Sequence, residues 1–196
     1  MWGAGPRNLT IANKGNWMNR NNWIMAAIML MALPGMVWAA KPGYIHVNES
    51  VEINAPPAKV WGLVKNWNAL HKWHPAFSNT EIKSGTNNKV GAVRTLTMAD
   101  GGAKFDEELD GFSDKKRKYG YRIITDSPLP VADYSSTIQV KSGKEKTTSV
   151  LVWKGKFKRK VADNPPAGQD DAGVRKAISG AYQAGLQNVK KMAETK

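Results

Sequence analysis

Hydrophobic and polar residues alternate through the middle of the chain, at the spacing of β-strands. The alternating segments are 44–53, 92–98, 104–111, 118–125, 134–141 and 147–158. Clusters of Gly, Pro and Asn separate them, as at 100–102 and 127–130, and such clusters favour turns. The pattern predicts an antiparallel sheet, for which we expect about seven strands in all.

Two other segments have helical spacing. After Pro56-Pro57, apolar residues recur at steps of three and four up to Leu70, which predicts one or two short helices over about 57–73. From Val174 to Met192 apolar residues fall on one helical stripe, which predicts a long C-terminal helix. The order of strand, short helices, strands and long helix is typical of an α+β fold, in which a helix covers one face of an antiparallel sheet.

The amino-terminal region has a different pattern. Arg20 precedes an uncharged apolar run over 24–33, Pro34-Gly35 follows it, and Ala39 offers a small residue for cleavage, which is the layout of a secretory signal peptide. The run is about half of the roughly 20 residues that a membrane span needs. We therefore expect cleavage near Ala39, no stable membrane span afterwards and a periplasmic protein. An uncleaved anchor is the alternative.

The predicted domains are an N-terminal extension with signal peptide over 1–39, in which Met18 is an alternative start, and one domain over 40–196. Residues 1–39 hold three basic residues and no acid, so +10 of the formal charge of +13 belongs to the exported domain. Export argues against nucleic acid as the partner and favours an acidic protein or a membrane surface. The chain has no cysteine, which excludes disulfides and thiolate ligands.

Four short motifs resemble one known superfamily. They are VEINAPPAKVWGLVKNW at 51–67, WHP at 73–75, GAVR at 91–94 and DEEL at 106–109. They resemble the START-like superfamily, also called SRPBCC, which includes polyketide cyclases and lipid carriers. The resemblance covers almost the whole mature chain. It implies a helix-grip fold, in which a curved sheet wraps around the C-terminal helix and leaves an elongated apolar cavity.

A narrower resemblance concerns one branch of this superfamily. The predicted signal peptide, together with Trp73-His74-Pro75, Ser127-Pro-Leu-Pro130 and Trp153, is similar to the exported MxaD-type branch, which is linked with periplasmic methanol oxidation. This similarity implies an accessory role in an oxidation system of that kind.

Aromatic residues share faces of the predicted strands and could line such a cavity. The candidates, with one histidine, are Trp67, Trp73, His74, Phe77, Tyr119, Tyr121, Trp153 and Phe157. Gly155, between Trp153 and Phe157, leaves room for a ligand. Apolar walls with a few polar groups are typical of ligand pockets. Ordinary core packing is the alternative for each of these side chains.

Arg94 and Glu108 lie on strands that flank the predicted turn at 100–102, so they could pair across it. Such a pair either reaches the cavity and orients a ligand or forms an exposed ion pair worth about 0–1 kcal/mol. With His74, these two residues would be the acid–base groups if the protein were a cyclase or hydratase.

Other chemistry has little support in the sequence. A nucleophile elbow and a phosphate-binding loop are both missing from it, so no catalytic residue and no cofactor are predicted. The three histidines, His46, His71 and His74, lack a metal-binding motif, so no metal is predicted.

Two groups of cations stand out. One comprises Lys115, Lys116 and Arg117, and the other comprises Lys154, Lys156, Lys158 and Lys160. On a strand, the four lysines of the second group would point the same way. This basic face is either a solvated surface or a docking surface for an acidic periplasmic redox protein, a dehydrogenase or a cytochrome.

Three functions remain open at this point. The first is a non-enzymatic exported protein that docks onto a periplasmic oxidation system. The second is a carrier or sensor of a small hydrophobic ligand. The third is an enzyme of the cyclase or hydratase type.

Overall fold

The computed structural model describes residues 43–195. The strands are β1 (Ile45–Ile53), β2 (Phe77–Ser84), β3 (Val93–Met98), β4 (Lys104–Ser113), β5 (Lys118–Ile123), β6 (Val131–Ser142) and β7 (Ser149–Arg159). The helices are α1 (Pro57–Val64), α2 (Leu70–Trp73) and α3 (Asp171–Glu194), with a 3₁₀ turn at Trp67–Ala69. The predicted signal peptide, its cleavage near Ala39 and the alternative start at Met18 lie outside the described residues.

All seven strands form one antiparallel sheet in the order β1-β7-β6-β5-β4-β3-β2. Most strands bury one face; on β7, Trp153 and Phe157 are buried, whereas Lys154 and Lys156 are exposed. Register shifts in β2, β4 and β6 add to the twist that bends a sheet. The sheet curves around α3, and the predicted α+β helix-grip fold is confirmed.

One strand could not be located from the hydrophobic pattern. β2 forms one edge of the sheet, and only Thr80 among its eight residues is buried. An edge strand with so little burial shows no regular alternation of apolar residues, so periodicity does not reveal it.

The long helix α3 packs its apolar stripe into the concave face of the sheet. The buried residues of this stripe include Val174, Ile178, Tyr182, Leu186 and Val189. The helix begins after Asp170, whose side chain accepts a hydrogen bond from the backbone N–H of Gly173, as an N-cap residue does.

The same helix also covers the edge strand β1. Arg175 and Lys190 of α3 donate hydrogen bonds to the backbone carbonyls of His46 and Glu52 on β1. These bonds occupy carbonyls that an edge strand would otherwise leave open to another chain.

Among residues 43–195, no helix has the length and apolar character needed to cross a membrane.

Candidate functional site

A small cavity of about 70 Å³ lies between the concave face of the sheet and α3. Most of its wall is apolar, and the polar groups that line it are His74, Glu107 and three tyrosines, Tyr121, Tyr134 and Tyr182. Pockets for drug-sized ligands measure roughly 300–1,000 Å³, so this cavity has room for a few heavy atoms only. Aromatic side chains fill most of the space that the family resemblance assigned to an elongated cavity.

Tyr182 accounts for much of this filling. Its ring stacks on Trp153 with 4.3 Å between centroids and 6° between planes. A Cβ at position 155 would lie 2.2 Å from the Tyr182 hydroxyl oxygen, so only glycine fits there. The space that Gly155 was expected to leave for a ligand is therefore taken by Tyr182.

A directed hydrogen-bond network joins the sheet to this helix residue. The Ser136 hydroxyl donates to the backbone carbonyl of Lys154 at 2.8 Å, so its oxygen accepts from Trp153 Nε1–H at 2.8 Å and from the Tyr182 hydroxyl at 3.0 Å. The Tyr182 oxygen in turn accepts from the Tyr134 hydroxyl at 2.6 Å. Burial raises the pKa of Tyr182 to about 12, so the network stays neutral at ordinary pH.

Tyr121 stands at the end of this network with an unused donor. Its oxygen accepts from Trp153 Nε1–H at 3.1 Å. Ser136 also lies within hydrogen-bonding reach of Tyr121, but its oxygen already accepts from Trp153 and Tyr182, so the Tyr121 O–H proton remains for another acceptor. Burial raises the pKa of Tyr121 well above its ordinary value, so the proton is retained. Tyr121 lines the cavity and can donate a hydrogen bond into it.

A buried ion pair joins β3 and β4 beside the cavity. Arg94 Nε and Nη2 both donate to Glu107 Oε2, at 2.9 and 2.6 Å, and Nη1 donates to the backbone carbonyl of Trp67 at 2.6 Å. The guanidinium lies 3.4 Å from the centroid of the Trp67 ring. Burial raises the pKa of Glu107, and the charge of Arg94 opposes that rise. Glu107 Oε1 has no hydrogen-bond partner in the described part of the chain, and Glu107 lines the cavity.

The predicted pairing of Arg94 with Glu108 is wrong. In the β3–β4 register Arg94 lies opposite Glu107, and Glu108 lies opposite Val93. Successive side chains of a strand point to opposite faces, so Glu108 is on the outer face, where it pairs with Arg122 at 2.9 Å. The placement of Glu108 in the cavity is corrected to Glu107.

His74 is buried and fully hydrogen-bonded. Its Nδ1 accepts from the backbone N–H of Ala76 at 3.2 Å, and its Nε2 lies 3.0 Å from the backbone carbonyl of Ala181. Because an N–H can only donate and a carbonyl can only accept, the ring is the neutral tautomer with its proton on Nε2. Burial lowers the pKa of His74 to about 4. With both nitrogens engaged, His74 has no lone pair available for a general base.

The acid–base set considered for a cyclase or hydratase is not assembled around the cavity. His74 is engaged with the backbone, Arg94 is held by Glu107 and Trp67, and Glu108 lies on the other side of the sheet. Within residues 43–195 there is also no group of three or more His, Asp or Glu side chains placed to hold a metal ion.

The structure divides the remaining candidate cavity residues into two layers. Phe77, Tyr121 and Trp153 line the cavity with His74. The buried side chains behind this wall are Trp67, Trp73, Arg94, Tyr119 and Phe157. Sequence reasoning missed Glu107, Tyr134 and Tyr182, although the position of Tyr182 on the apolar stripe of α3 was a usable signal.

The predicted basic docking face is not one continuous patch. Val140 lies opposite Leu151, and its N–H bonds to the carbonyl of Arg117, so the turn that carries Lys115 and Lys116 is at the Leu151 end of β7. Lys160 follows the other end, nine residues on, or roughly 30 Å along a strand.

Several of the predicted docking lysines also have partners. Lys158 pairs with Asp133 and Lys160 pairs with Asp126, while the ammonium of Lys156 lies 4.0 Å from the centroid of the Tyr44 ring. Lys154 and Lys156 form no salt bridge with any described carboxylate. The free positive charge is thus centred on the middle of β7.

Comparison with known proteins agrees with this architecture. Residues 44–194 match the family described as polyketide cyclase / dehydrase and lipid transport. The protein XoxI from Bacillus cereus is 33% identical, the alignment covers 76% of this chain and 94% of that one, and the TM-score is 0.65. An uncharacterised protein from Bacillus thuringiensis is also 33% identical, over 77% of this chain and 100% of that one, with a TM-score of 0.66.

A further structural relative is the Zhui aromatase/cyclase from Streptomyces sp. R1128. Its TM-score is 0.66 over 78% of this chain and 94% of that one, but the identity is 19%. At this identity the likeness concerns the fold alone.

Proposed function

Because this chain belongs to the polyketide cyclase / dehydrase and lipid transport family, we propose that it binds a small ligand in the cavity between the sheet and α3, as a carrier or sensor. The observation that carries this proposal is an apolar cavity with two unused polar groups, Glu107 Oε1 and the Tyr121 hydroxyl. Apolar walls with a few fixed polar groups are the usual make-up of a ligand site. The lack of an assembled acid–base set favours binding over catalysis.

The ligand in this proposal is smaller than a lipid or a polyketide. The stacked Trp153 and Tyr182 rings and the Tyr134 hydroxyl occupy the deep part of the fold. Interiors packed in this way resist the insertion of extra atoms. A molecule of a few heavy atoms fits without moving these rings.

Filling the cavity tests this function. Ala181 of α3 lines the cavity, so Ala181→Leu places a larger side chain in it. We expect 1-butanol or diethyl ether to shift the methyl NMR signals of Ile178 and Leu129 in the wild type in a saturable way. The shifts should be lost in Ala181→Leu.

The matched control is Ala184→Leu, the same change at an exposed position of the same helix. It should retain the wild-type shifts. Equal shifts in both variants, or no saturable shift in the wild type, would contradict the proposed function.

A second candidate function is docking onto an acidic periplasmic redox protein. It requires the export that the N-terminal pattern predicts, and the narrower MxaD-type resemblance suggests a methanol-type oxidation system. The observation that favours it is a cluster of exposed lysines on the convex face of the sheet, which we call the convex basic face: Lys118, Lys154 and Lys156. Lys118 lies opposite Gln139 and Lys154 lies opposite Thr137, so β6 carries only uncharged side chains between them.

A further inference from the structure

We propose that the cavity selects a neutral ligand that carries a hydroxyl group, which Glu107 and Tyr121 recognise together. This inference rests on the proposed ligand-binding function and names the chemistry of the ligand. It follows from the position, the hydrogen-bond roles and the charge of these two residues.

Glu107 and Tyr121 are diagonal neighbours on the concave face. Tyr121 on β5 lies opposite Leu109 on β4, and Glu107 precedes Leu109 by two residues on the same face. Side chains in this relation have Cβ atoms within roughly 7–8 Å of one another. One small group in the cavity can therefore contact both.

The two residues have opposite hydrogen-bond roles. Arg94 Nε and Nη2 both donate to Glu107 Oε2, which leaves Oε1 as an acceptor. Tyr121 already accepts from Trp153, which leaves its O–H as a donor. A hydroxyl group donates and accepts at once, so it satisfies both residues, whereas an ether oxygen satisfies only Tyr121.

The charges near the cavity favour a neutral molecule. The Arg94–Glu107 pair is buried, with 1% and 5% of the two side chains exposed, and carries no net charge. An ammonium group would lie close to the positive charge of Arg94, and a carboxylate would face the carboxylate of Glu107. Burying a charge without a matching partner is costly.

The rest of the cavity suits a short apolar body. Phe77, Phe105, Leu129 and Ile178 line it, and its volume of about 70 Å³ limits the length of that body. A short-chain alcohol is the simplest molecule with these properties.

Two isomers of the same formula separate this inference from simple apolar binding. 1-Butanol and diethyl ether contain the same atoms, but only 1-butanol can donate a hydrogen bond. We expect NMR titration of the wild type to give at least tenfold tighter binding of 1-butanol. Equal binding, or tighter binding of the ether, would overturn the selection while leaving the proposed function intact. If neither isomer bound, both proposals would fail.

Glu107→Gln then tests the residue itself. Arg94 needs an acceptor at the Oε2 position, so the glutamine oxygen takes that place and the amide NH₂ faces the cavity. The free acceptor becomes a donor, and the preference for 1-butanol should disappear or reverse. The matched control is Glu108→Gln, one residue away on the outer face, which should keep the wild-type preference. An unchanged preference in folded Glu107→Gln would overturn the assignment.

Two further variants cover the case in which Glu107→Gln does not fold. Arg94→Met with Glu107→Leu replaces the whole buried pair by apolar side chains, a change that proteins often tolerate, and it should bind the two isomers equally. Tyr121→Phe should weaken the binding of both isomers and leave the ratio of their affinities near the wild-type value, because both accept a hydrogen bond from Tyr121. A tenfold preference that survived in the double variant would contradict the role of Glu107.

Discussion

At the scale of single residues, His74 illustrates how burial changes the chemistry of a side chain. In the sequence it is a histidine between a tryptophan and a proline, with nothing to exclude a role as a general base. In the fold it bridges the backbone at Ala76 to the backbone of α3 at Ala181. Removing a charged imidazolium from water is unfavourable, so the neutral ring is retained to about pH 4.

We therefore expect His74 to make stability depend on pH. The unfolded chain takes up a proton near the ordinary histidine pKa of 6.5, whereas burial lowers the pKa in the folded protein to about 4. Between these values the unfolded state binds more protons, so stability is full above pH 6.5 and falls as pH drops towards 4. The difference between the two pKa values corresponds to a loss of about 3 kcal/mol.

Urea unfolding of His74→Gln at a series of pH values measures this contribution. Between pH 7 and pH 4, the free energy of unfolding should fall by about 3 kcal/mol less in the variant than in the wild type. His46→Gln, at an exposed position on β1, should follow the wild-type curve. Parallel curves for wild type and His74→Gln would show that His74 does not carry this dependence.

At the scale of elements, the packing of α3 against the residues around the cavity depends on one close contact, at Gly185. A Cβ at position 185 would lie 2.6 Å from His74 Cδ2 and 3.0 Å from Trp153 Cζ3. Only a glycine allows these two rings to rest against the helix. Gly180, five residues earlier on the same helix, has no atom within 4 Å of the corresponding position.

The two glycines should consequently respond to alanine with opposite signs. Gly185→Ala should lower the free energy of unfolding by about 1–3 kcal/mol, because the rings have to move. Gly180→Ala should raise it by about 0.5–1 kcal/mol, since alanine has the higher helix propensity. Chemical denaturation of both variants measures this, and a stabilised Gly185→Ala would contradict the packing argument.

At the scale of the whole molecule, the positive charge is unevenly neutralised. At the carboxyl end of β7, Lys158 pairs with Asp133 and Lys160 pairs with Asp126. No described carboxylate forms a salt bridge with a lysine of the convex basic face. Unpaired surface charge steers an oppositely charged partner and is screened by salt. The location of that free charge matters more for docking than the total of +13.

Docking can be tested with a matched charge reversal. If the second proposed function holds, binding to an acidic redox protein, a cytochrome or a dehydrogenase, should weaken when salt rises from about 20 to about 300 mM. Lys154→Glu with Lys156→Glu should weaken binding at low salt at least tenfold. Lys176→Glu with Lys191→Glu, the same charge change at exposed positions of α3, should have a much smaller effect. Equal effects of the two double variants would indicate that the convex basic face is not the docking site.

Most of the fold followed from local patterns. The alternation that predicts β1 and β3 to β7 and the stripe that predicts α3 arise from burial of one face of each element, which leaves its period in the residues themselves. β2 was not predicted, because it buries only Thr80 and so lacks a regular alternation. The motifs at 51–67 and 91–94 added the helix-grip arrangement, which the match over residues 44–194 supports.

The sequence by itself determined the α+β class, the superfamily and the aromatic character of the interior. Only the tertiary structure decided that Arg94 pairs with Glu107 and that Tyr182 fills the space beside Gly155. The physical reason is that a shift of one residue in strand register moves a side chain to the other face of the sheet. The volume of a cavity likewise depends on side chains from distant elements, which meet only after the sheet has closed around the helix.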